Sequence, residues 1–188
     1  MARGRSEAAT GRGPLGPLPM LAGWVTAALD AVSRVIVVTT LSTLFLALLV
    51  NVVLRYAFGS GIAWAYEIHA VLLPWLVAAG IVIASARSRQ ITVSLLPDAL
   101  SPGAVRGLLV VTSVIVLAIS VSVVWTSQPI LKASQFQRLS TLGITQVWGY
   151  SSLVYAFAGV AVIMVMDIIR LLGAGAATPL APEAQSLS

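Results

Sequence analysis

The sequence has no cysteine, one histidine and few charged residues. Without cysteine it can form no disulfide, thiolate nucleophile or Cys-ligated metal site. The single histidine, His69, cannot supply the two imidazoles of a haem held between helices, and no second histidine or acidic pair flanks it. We therefore predict neither a haem nor a metal site. Only 9% of the residues are charged, against about a quarter in soluble domains, which is too few to cover a soluble surface.

The remaining polar side chains form no recognisable catalytic pattern. No nucleophile–base pair, phosphate-binding loop or metal-hydrolase helix is present in the sequence. We predict no catalytic residues, no enzymatic activity and no cofactor. The basic residues stand singly between apolar runs and have no cluster of stacking aromatic residues beside them, so nucleic acid is not predicted as a partner.

Long uncharged runs make up most of the chain, beginning with Val35–Leu54. A hydrocarbon core about 30 Å thick needs roughly 20 helical residues to cross it. The runs predict an all-α integral membrane protein with a membrane domain over residues 18–172. Its four spans are predicted at about 35–54, 65–86, 107–131 and 148–166. Residues 1–17 and 173–188 are predicted to be disordered tails because they are rich in glycine, proline and polar residues.

The stretch before the first span, Met20–Arg34, has apolar residues at helical spacing. It is either an amphipathic helix lying in the membrane interface or the lower end of a long first helix. We favour the interfacial helix because Trp24 is a residue type that anchors at the level of the lipid headgroups.

The basic residues are distributed unevenly between the two sides of the predicted membrane domain. Eight of the eleven fall in the N-terminal segment, the second loop and the C-terminal end, and three fall on the other side. The positive-inside rule places the richer side in the cytoplasm. Both termini are therefore predicted to be cytoplasmic.

Few polar groups lie at membrane depth, and three of them cluster around the first loop. Asn51 and Arg55 share one face near the end of the first span, and Glu67 opens the second span across a glycine-containing turn. A contact between Arg55 and Glu67 would hold the two spans together and reduce the cost of burying charge, which is about 3 kcal/mol at the bilayer centre. Alternatively, the two are unpaired interface charges, or Glu67 is a proton or ion site.

Helix contacts are predicted where small residues recur at helical spacing, because such faces let helices approach closely in lipid. The sets are Gly80 with Ala84, Gly103 with Gly107, and Ser152 with Ala156 and Gly159. Aromatic residues near the predicted span ends are typical of an interfacial belt, namely Tyr56, Trp64, Trp125, Trp148 and Tyr150.

Several spaced segments resemble the small membrane subunit of tripartite ATP-independent periplasmic (TRAP) transporters. They are Asn51-Val-Val-Leu-Arg-Tyr-Ala-Phe58, Trp64-Ala-Tyr-Glu67, Trp75 and Gly80, Arg87 with Gln90-Ile-Thr-Val93, and Leu142-Gly-Ile-Thr-Gln-Val-Trp-Gly-Tyr150. The resemblance covers roughly residues 35–170. Tyr66, Gln90, Ser94 and Thr145 depart from the residues usual in that family, which affects the loop patterns more than the first hairpin.

The resemblance implies a non-catalytic small permease subunit in the bacterial inner membrane. Its partners would be a large multi-span permease subunit that moves by an elevator mechanism, a periplasmic solute-binding protein and membrane lipid. The assembly would take up an organic acid with sodium, and this chain would brace the large subunit and help dock the binding protein. The residues expected at partner interfaces or in structural roles are Asn51, Arg55, Tyr56, Trp64, Glu67, Trp75, Gly80, Arg87, Arg89, Trp148 and Tyr150.

A different class of protein is also considered, namely a self-sufficient four-helix transporter that works as a homodimer and uses Glu67. Glu67 is the candidate carboxylate for such exchange, but its place near the end of a span argues against that role.

Overall fold

The computed structural model describes residues 17–95 and 102–173, which form five helices. They are α1 (Pro17–Phe58), α2 (Trp64–Leu95), α3 (Pro102–Thr126), α4 (Gln128–Ser134) and α5 (Val147–Gly173). Four of these regions are long and apolar enough to cross a membrane: Met20–Phe58, Trp64–Arg87, Gly103–Ser134 and Val147–Leu172. The prediction of an all-α protein with four membrane helices is confirmed. The predicted tails lie almost wholly outside the described residues.

Helix α1 is one continuous helix of 42 residues. The favoured interfacial helix over residues 20–34 is therefore wrong, and that stretch is the lower end of the first helix. The reason is local: after Gly23, neither glycine nor proline interrupts the sequence before Gly59. At 1.5 Å per residue, α1 is about 63 Å long, roughly twice the thickness of the hydrocarbon core.

The third membrane region is divided, whereas the sequence predicted one uninterrupted span over 107–131. Helix α3 ends at Thr126, and α4 begins at Gln128 with Pro129 in its first turn. Proline has no N–H to continue the hydrogen-bond ladder, so it favours a new helix start at this place. Ser127, at the junction, donates its hydroxyl hydrogen bond to the Val123 carbonyl at 2.5 Å.

Small side chains form most of the buried core. The buried apolar residues include Ala22, Ala65, Ala78, Ala79 and Ala156. Helix α5 packs on α1, α2 and α3, while α3 contacts α5 and α4 alone among the described helices. Among the described residues, few large apolar side chains are buried, namely Leu44, Val82, Val160 and Ile163. Large apolar residues gain little by leaving lipid, so close backbone packing takes the place of a bulky core.

Two glycines of α5 allow it to approach α2 closely. A Cβ atom built on Gly149 would lie 2.9 Å from the Ala70 carbonyl oxygen, and one on Gly159 would lie 2.9 Å from Cγ2 of Val82. Ser152 and Ala156, between them on the same face, are buried. The small-residue contact predicted for the last span is therefore a contact with α2. Gly80, Gly103 and Gly107 have no other group within 4 Å of such a Cβ atom, so they face outward.

Candidate functional site

The candidate functional site is the end of the bundle where α1 stops and α2 and α5 start. We call this the loop end, and it comprises residues 51–67 and 135–150. At this end, the hairpin of α1 and α2 contacts the long connection from α4 to α5. Three side chains, from Asn51, Glu67 and Trp75, hold these segments together.

Asn51 closes the turn between α1 and α2. Its side chain is buried, and Oδ1 accepts a hydrogen bond from the Ile62 N–H at 2.7 Å. Gly61 is needed at this approach, since a Cβ atom there would lie 2.8 Å from Oδ1. Gly59 ends α1 in the left-handed conformation, with φ of 72°, and its N–H donates to the Arg55 carbonyl at 3.1 Å. The turn is therefore fixed by one buried amide and two glycines.

Replacing Asn51 with leucine tests the role of the buried amide. The Ile62 N–H would lose its acceptor, and we expect the free energy of unfolding in detergent to fall by about 1–3 kcal/mol. Thr43→Val is the matched control, because Thr43 lies on the same helix and its hydroxyl bonds only to its own helix, at the Thr39 carbonyl. Equal stability of the two variants would contradict this role for Asn51.

Glu67 binds the α4–α5 connection. Its Oε1 accepts hydrogen bonds from the Thr141 N–H at 3.0 Å and the Thr141 hydroxyl at 2.9 Å. Its Oε2 accepts from the N–H groups of Thr141 at 2.9 Å and Leu142 at 3.0 Å. Hydrogen bonds to an ionised carboxylate are stronger than neutral ones, so Glu67 ties the α4–α5 connection to the first turn of α2.

The predicted contact between Arg55 and Glu67 is absent from the described residues, and that hypothesis is wrong. The Glu67 carboxylate is turned toward residues 141–142, where several fixed donors converge. Arg55 lies exposed on the last turn of α1, where its charge favours the helix C-terminus.

The segment that Glu67 binds is itself folded back in a turn. The Leu139 N–H donates to the Ile144 carbonyl at 3.0 Å, and the Gly143 N–H donates to the Leu139 carbonyl at 2.9 Å. Gly143 has φ of 63°, a conformation that glycine adopts without strain. A further hydrogen bond from the Gln146 N–H to the Gln137 carbonyl, at 2.9 Å, closes the turn.

Trp75 connects α2 to the start of α5. Its indole Nε1–H donates to the Trp148 carbonyl at 2.8 Å, and its ring centroid lies 5.5 Å from that of Tyr155. The Tyr155 hydroxyl lies 2.8 Å from the Ser33 hydroxyl of α1. Three membrane helices are thus joined through two aromatic side chains. Tyr155 and Ser33 were not singled out from the sequence, because neither belongs to a recognisable local pattern.

The other predicted residues occupy the surface or the opposite end. Tyr56 and Trp148 are largely exposed, and Trp64 and Tyr150 are more than one-third exposed. Arg87 lies at the far end of α2, with its Nε atom 3.6 Å from Oδ1 of Asp30. Asp30 also pairs with Arg34, four residues along α1. The side chain of Arg89 lies outside the described part of the structure.

The described residues bring together no metal-binding group. In residues 17–95 and 102–173, no three histidine, cysteine, aspartate or glutamate side chains are grouped to hold an ion. His69 Nδ1 lies 2.7 Å from the Ala65 carbonyl, one turn back on the same helix. This contact engages Nδ1 within its own helix.

Four apolar membrane helices and an end tied by polar loops define an integral membrane subunit with a largely apolar exterior. The family model for the DctQ component of tripartite ATP-independent periplasmic transporters matches residues 44–174. This chain belongs to that family of small permease subunits. The resemblance of its spaced segments to the family is thereby confirmed, and the family places the chain in the inner membrane as a component of transmembrane transport.

A relative in Haemophilus influenzae agrees with this assignment. The chain is 23% identical over 150 residues to a protein named "Putative TRAP transporter small permease protein". The match covers 80% of this chain and 88% of the relative. The similarity therefore extends over most of the chain and is not limited to the first hairpin.

Proposed function

We propose that this chain is the static brace of a TRAP transporter and that its loop end helps dock a periplasmic solute-binding protein. The chain itself carries neither substrate nor sodium in this proposal. A large multi-span permease subunit moves the organic acid, and this subunit supports it from the side. The observation that carries the proposal is the clamp of Glu67 on residues 141–142, which ties the α4–α5 connection to the start of α2.

The hydrogen bonds of Glu67 support the docking role, since they hold the α4–α5 connection in one place. Rigid surfaces bind a partner at a lower entropic cost than loops that must first be ordered. Phe136 and Tyr56 are almost fully exposed at this end, and Arg138 is exposed beside Phe136. Aromatic residues and arginine are the side chains most often used as anchors in protein interfaces. The positive-inside prediction places this end in the periplasm, where a solute-binding protein would meet it.

An open groove between α2 and α5 supports the bracing role. The groove has a volume of about 530 Å³ and is lined mainly by apolar and small residues, including Pro74, Ala78, Gly149 and Ala156. Gly80 also faces outward from α2. A smooth apolar surface with small residues lets a helix of another subunit pack closely in lipid.

The position of the charged residues favours a brace over a self-sufficient transporter. In the described residues of α1, α2 and α5, charged side chains flank the uncharged runs 35–54, 70–86 and 147–166, and none lies within them. The carboxylate of Glu67 is occupied by donors of a loop, whereas an exchanging carboxylate must release its proton to both sides in turn. Accumulation of an organic acid in vesicles that contain this chain alone, abolished in Glu67→Gln, would establish the homodimer alternative instead.

Co-purification of the large permease subunit with a variant at the outward-facing Gly80 tests the bracing role directly. In Gly80→Leu, the chain alone should fold at least as stably as wild type, because leucine is the better helix former by up to about 1 kcal/mol. The new side chain would project from α2 toward a partner helix. We expect the amount of large permease subunit recovered with a tagged chain to fall several-fold.

Gly107→Leu is the control for that experiment, since Gly107 faces outward from α3 rather than from α2. Recovery of the large subunit should stay close to wild type with this variant. Recovery of no large multi-span partner by the wild-type chain would contradict the proposed function as a whole.

A further inference from the structure

A charged cavity lies at the end of the bundle opposite the loop end. It has a volume of about 480 Å³ and opens between α1, α2 and α5. Its charged lining consists of Asp30 and Arg34 from α1, Arg87 from α2, and Asp167 and Arg170 from α5. Its volume is within the range of small-molecule binding pockets, about 300–1,000 Å³.

The charges of this cavity favour an anion with one negative charge. Among the described residues, three arginines against two aspartates leave one net positive charge in the lining. Asp30 forms a hydrogen-bonded ion pair with Arg34, and its Oδ1 lies 3.6 Å from Nε of Arg87, which is an ionic contact without a hydrogen bond. Each guanidinium has five N–H donors in a planar fork that suits phosphate, so donors remain after these contacts.

The cavity lies at the level of the membrane where phosphate groups of lipids are found. Arg34 immediately precedes the uncharged run of α1, Arg87 immediately follows that of α2, and Asp167 ends that of α5. Charged residues at the ends of apolar runs lie at the headgroup layer. The apolar surface begins next to the cavity, since Val35 follows Arg34 and is 63% exposed.

We propose that this cavity binds a phosphate monoanion, supplied by the headgroup phosphodiester of an anionic phospholipid. The arginines contact the phosphate oxygens, and the acyl chains lie along the exposed apolar surface of α1. Basic pockets between membrane helices are known to hold anionic headgroups in this manner. This site is separate from the loop end and does not depend on the proposed transporter role.

Lipid binding to the full-length chain tests the proposal. The chain is purified in mild detergent with any subunit that stays attached, stripped of lipid by extended washing, and titrated with phosphatidylglycerol or phosphatidylcholine in native mass spectrometry. We expect phosphatidylglycerol to bind at least about tenfold more tightly than phosphatidylcholine. Phosphatidylglycerol carries one net negative charge, which balances the net positive charge of the lining, whereas phosphatidylcholine is neutral overall. Equal binding of the two lipids would overturn the proposal.

Variants locate the binding in the cavity. The double variant Arg87→Gln with Arg170→Gln should weaken phosphatidylglycerol binding by about tenfold or more. Lys132→Gln removes one positive charge from α4, away from the cavity, and should bind as wild type does. Ala27→Phe fills the cavity without changing its charge and should also abolish binding, which keeps the test decisive where the double variant does not fold. Tight binding by folded Ala27→Phe would overturn the proposal.

The source of the phosphate is tested by competition. If the ligand is a lipid, inorganic phosphate at millimolar concentration should leave bound phosphatidylglycerol in place. Displacement of the bound lipid by inorganic phosphate at millimolar concentration would overturn the lipid assignment in favour of a soluble anion.

Discussion

Glu67→Ala is expected to release the α4–α5 connection and to have the largest effect on function of any single substitution. The N–H groups of Thr141 and Leu142 lose the carboxylate that both now use, so the connection is no longer tied to α2. We expect amide hydrogen exchange at residues 139–144 to become several-fold faster in the purified chain. Solute uptake by the assembled transporter should fall, because the proposed docking surface loses its fixed shape.

Two further variants test whether the hydrogen bonds of the Glu67 carboxylate cause this protection. Glu67→Gln retains an acceptor oxygen but loses the charge, so its exchange rates should lie between those of wild type and Glu67→Ala. Arg55→Gln should leave exchange at residues 139–144 unchanged, because Arg55 makes no ion pair with Glu67 in the described structure. If Arg55→Gln accelerated exchange as much as Glu67→Ala, a contact between the Arg55 and Glu67 side chains would have to hold the connection instead.

The second large effect is expected for Gly149→Ala, which adds one methyl group where α5 crosses α2. The new Cβ atom would lie 2.9 Å from the Ala70 carbonyl oxygen, a backbone atom that cannot move without shifting the helix. Forcing extra volume into a packed contact costs about 1–3 kcal/mol. We expect a lower midpoint of thermal unfolding in detergent and a weaker hydrogen bond from Trp75 to the neighbouring Trp148 carbonyl.

Gly107→Ala makes the same chemical change but is expected to change stability in the opposite direction. Gly107 lies inside α3, and a methyl group there meets no other part of the chain within 4 Å. Alanine in a helix interior is better than glycine by up to about 1 kcal/mol, so this variant should be slightly more stable than wild type. A loss of stability in Gly107→Ala equal to that in Gly149→Ala would show that close approach of α5 to α2 is not the cause.

The membrane class and the number of spans could be predicted from the sequence because both follow from the length of uncharged runs. A run such as Val35–Leu54 has no other stable environment than lipid. Helix ends were harder to predict. Hydrophobicity indicates where the lipid begins but not where a helix begins or ends. Helix α1 extends from Arg34 back to Pro17 because no residue near Arg34 breaks the helix.

The contacts of the loop end could be predicted only in part. The family resemblance drew attention to Asn51, Trp64 and Glu67, which lie at one end of the bundle, but it did not predict the partner of any of these side chains. Glu67 and Thr141 are 74 residues apart, and no local pattern records such a pair. The ion pair of Asp30 and Arg34 can be predicted from their spacing of four residues on one helix. The approach of Arg87 to Asp30 cannot, because it depends on how α2 packs against α1.

The packing of α3 mainly against α5 affects how force can pass through the subunit. Within the described chain, α3 touches α5 and the short α4, while α1, α2 and α5 all touch one another. Among the packing contacts of the described helices, a neighbouring protein that bound to α3 would therefore act on α1 and α2 through α5. Any mechanical load from that side reaches Tyr155 and Ser33 through one helix, so the rigidity of α5 limits how firmly the whole subunit can resist a moving neighbour.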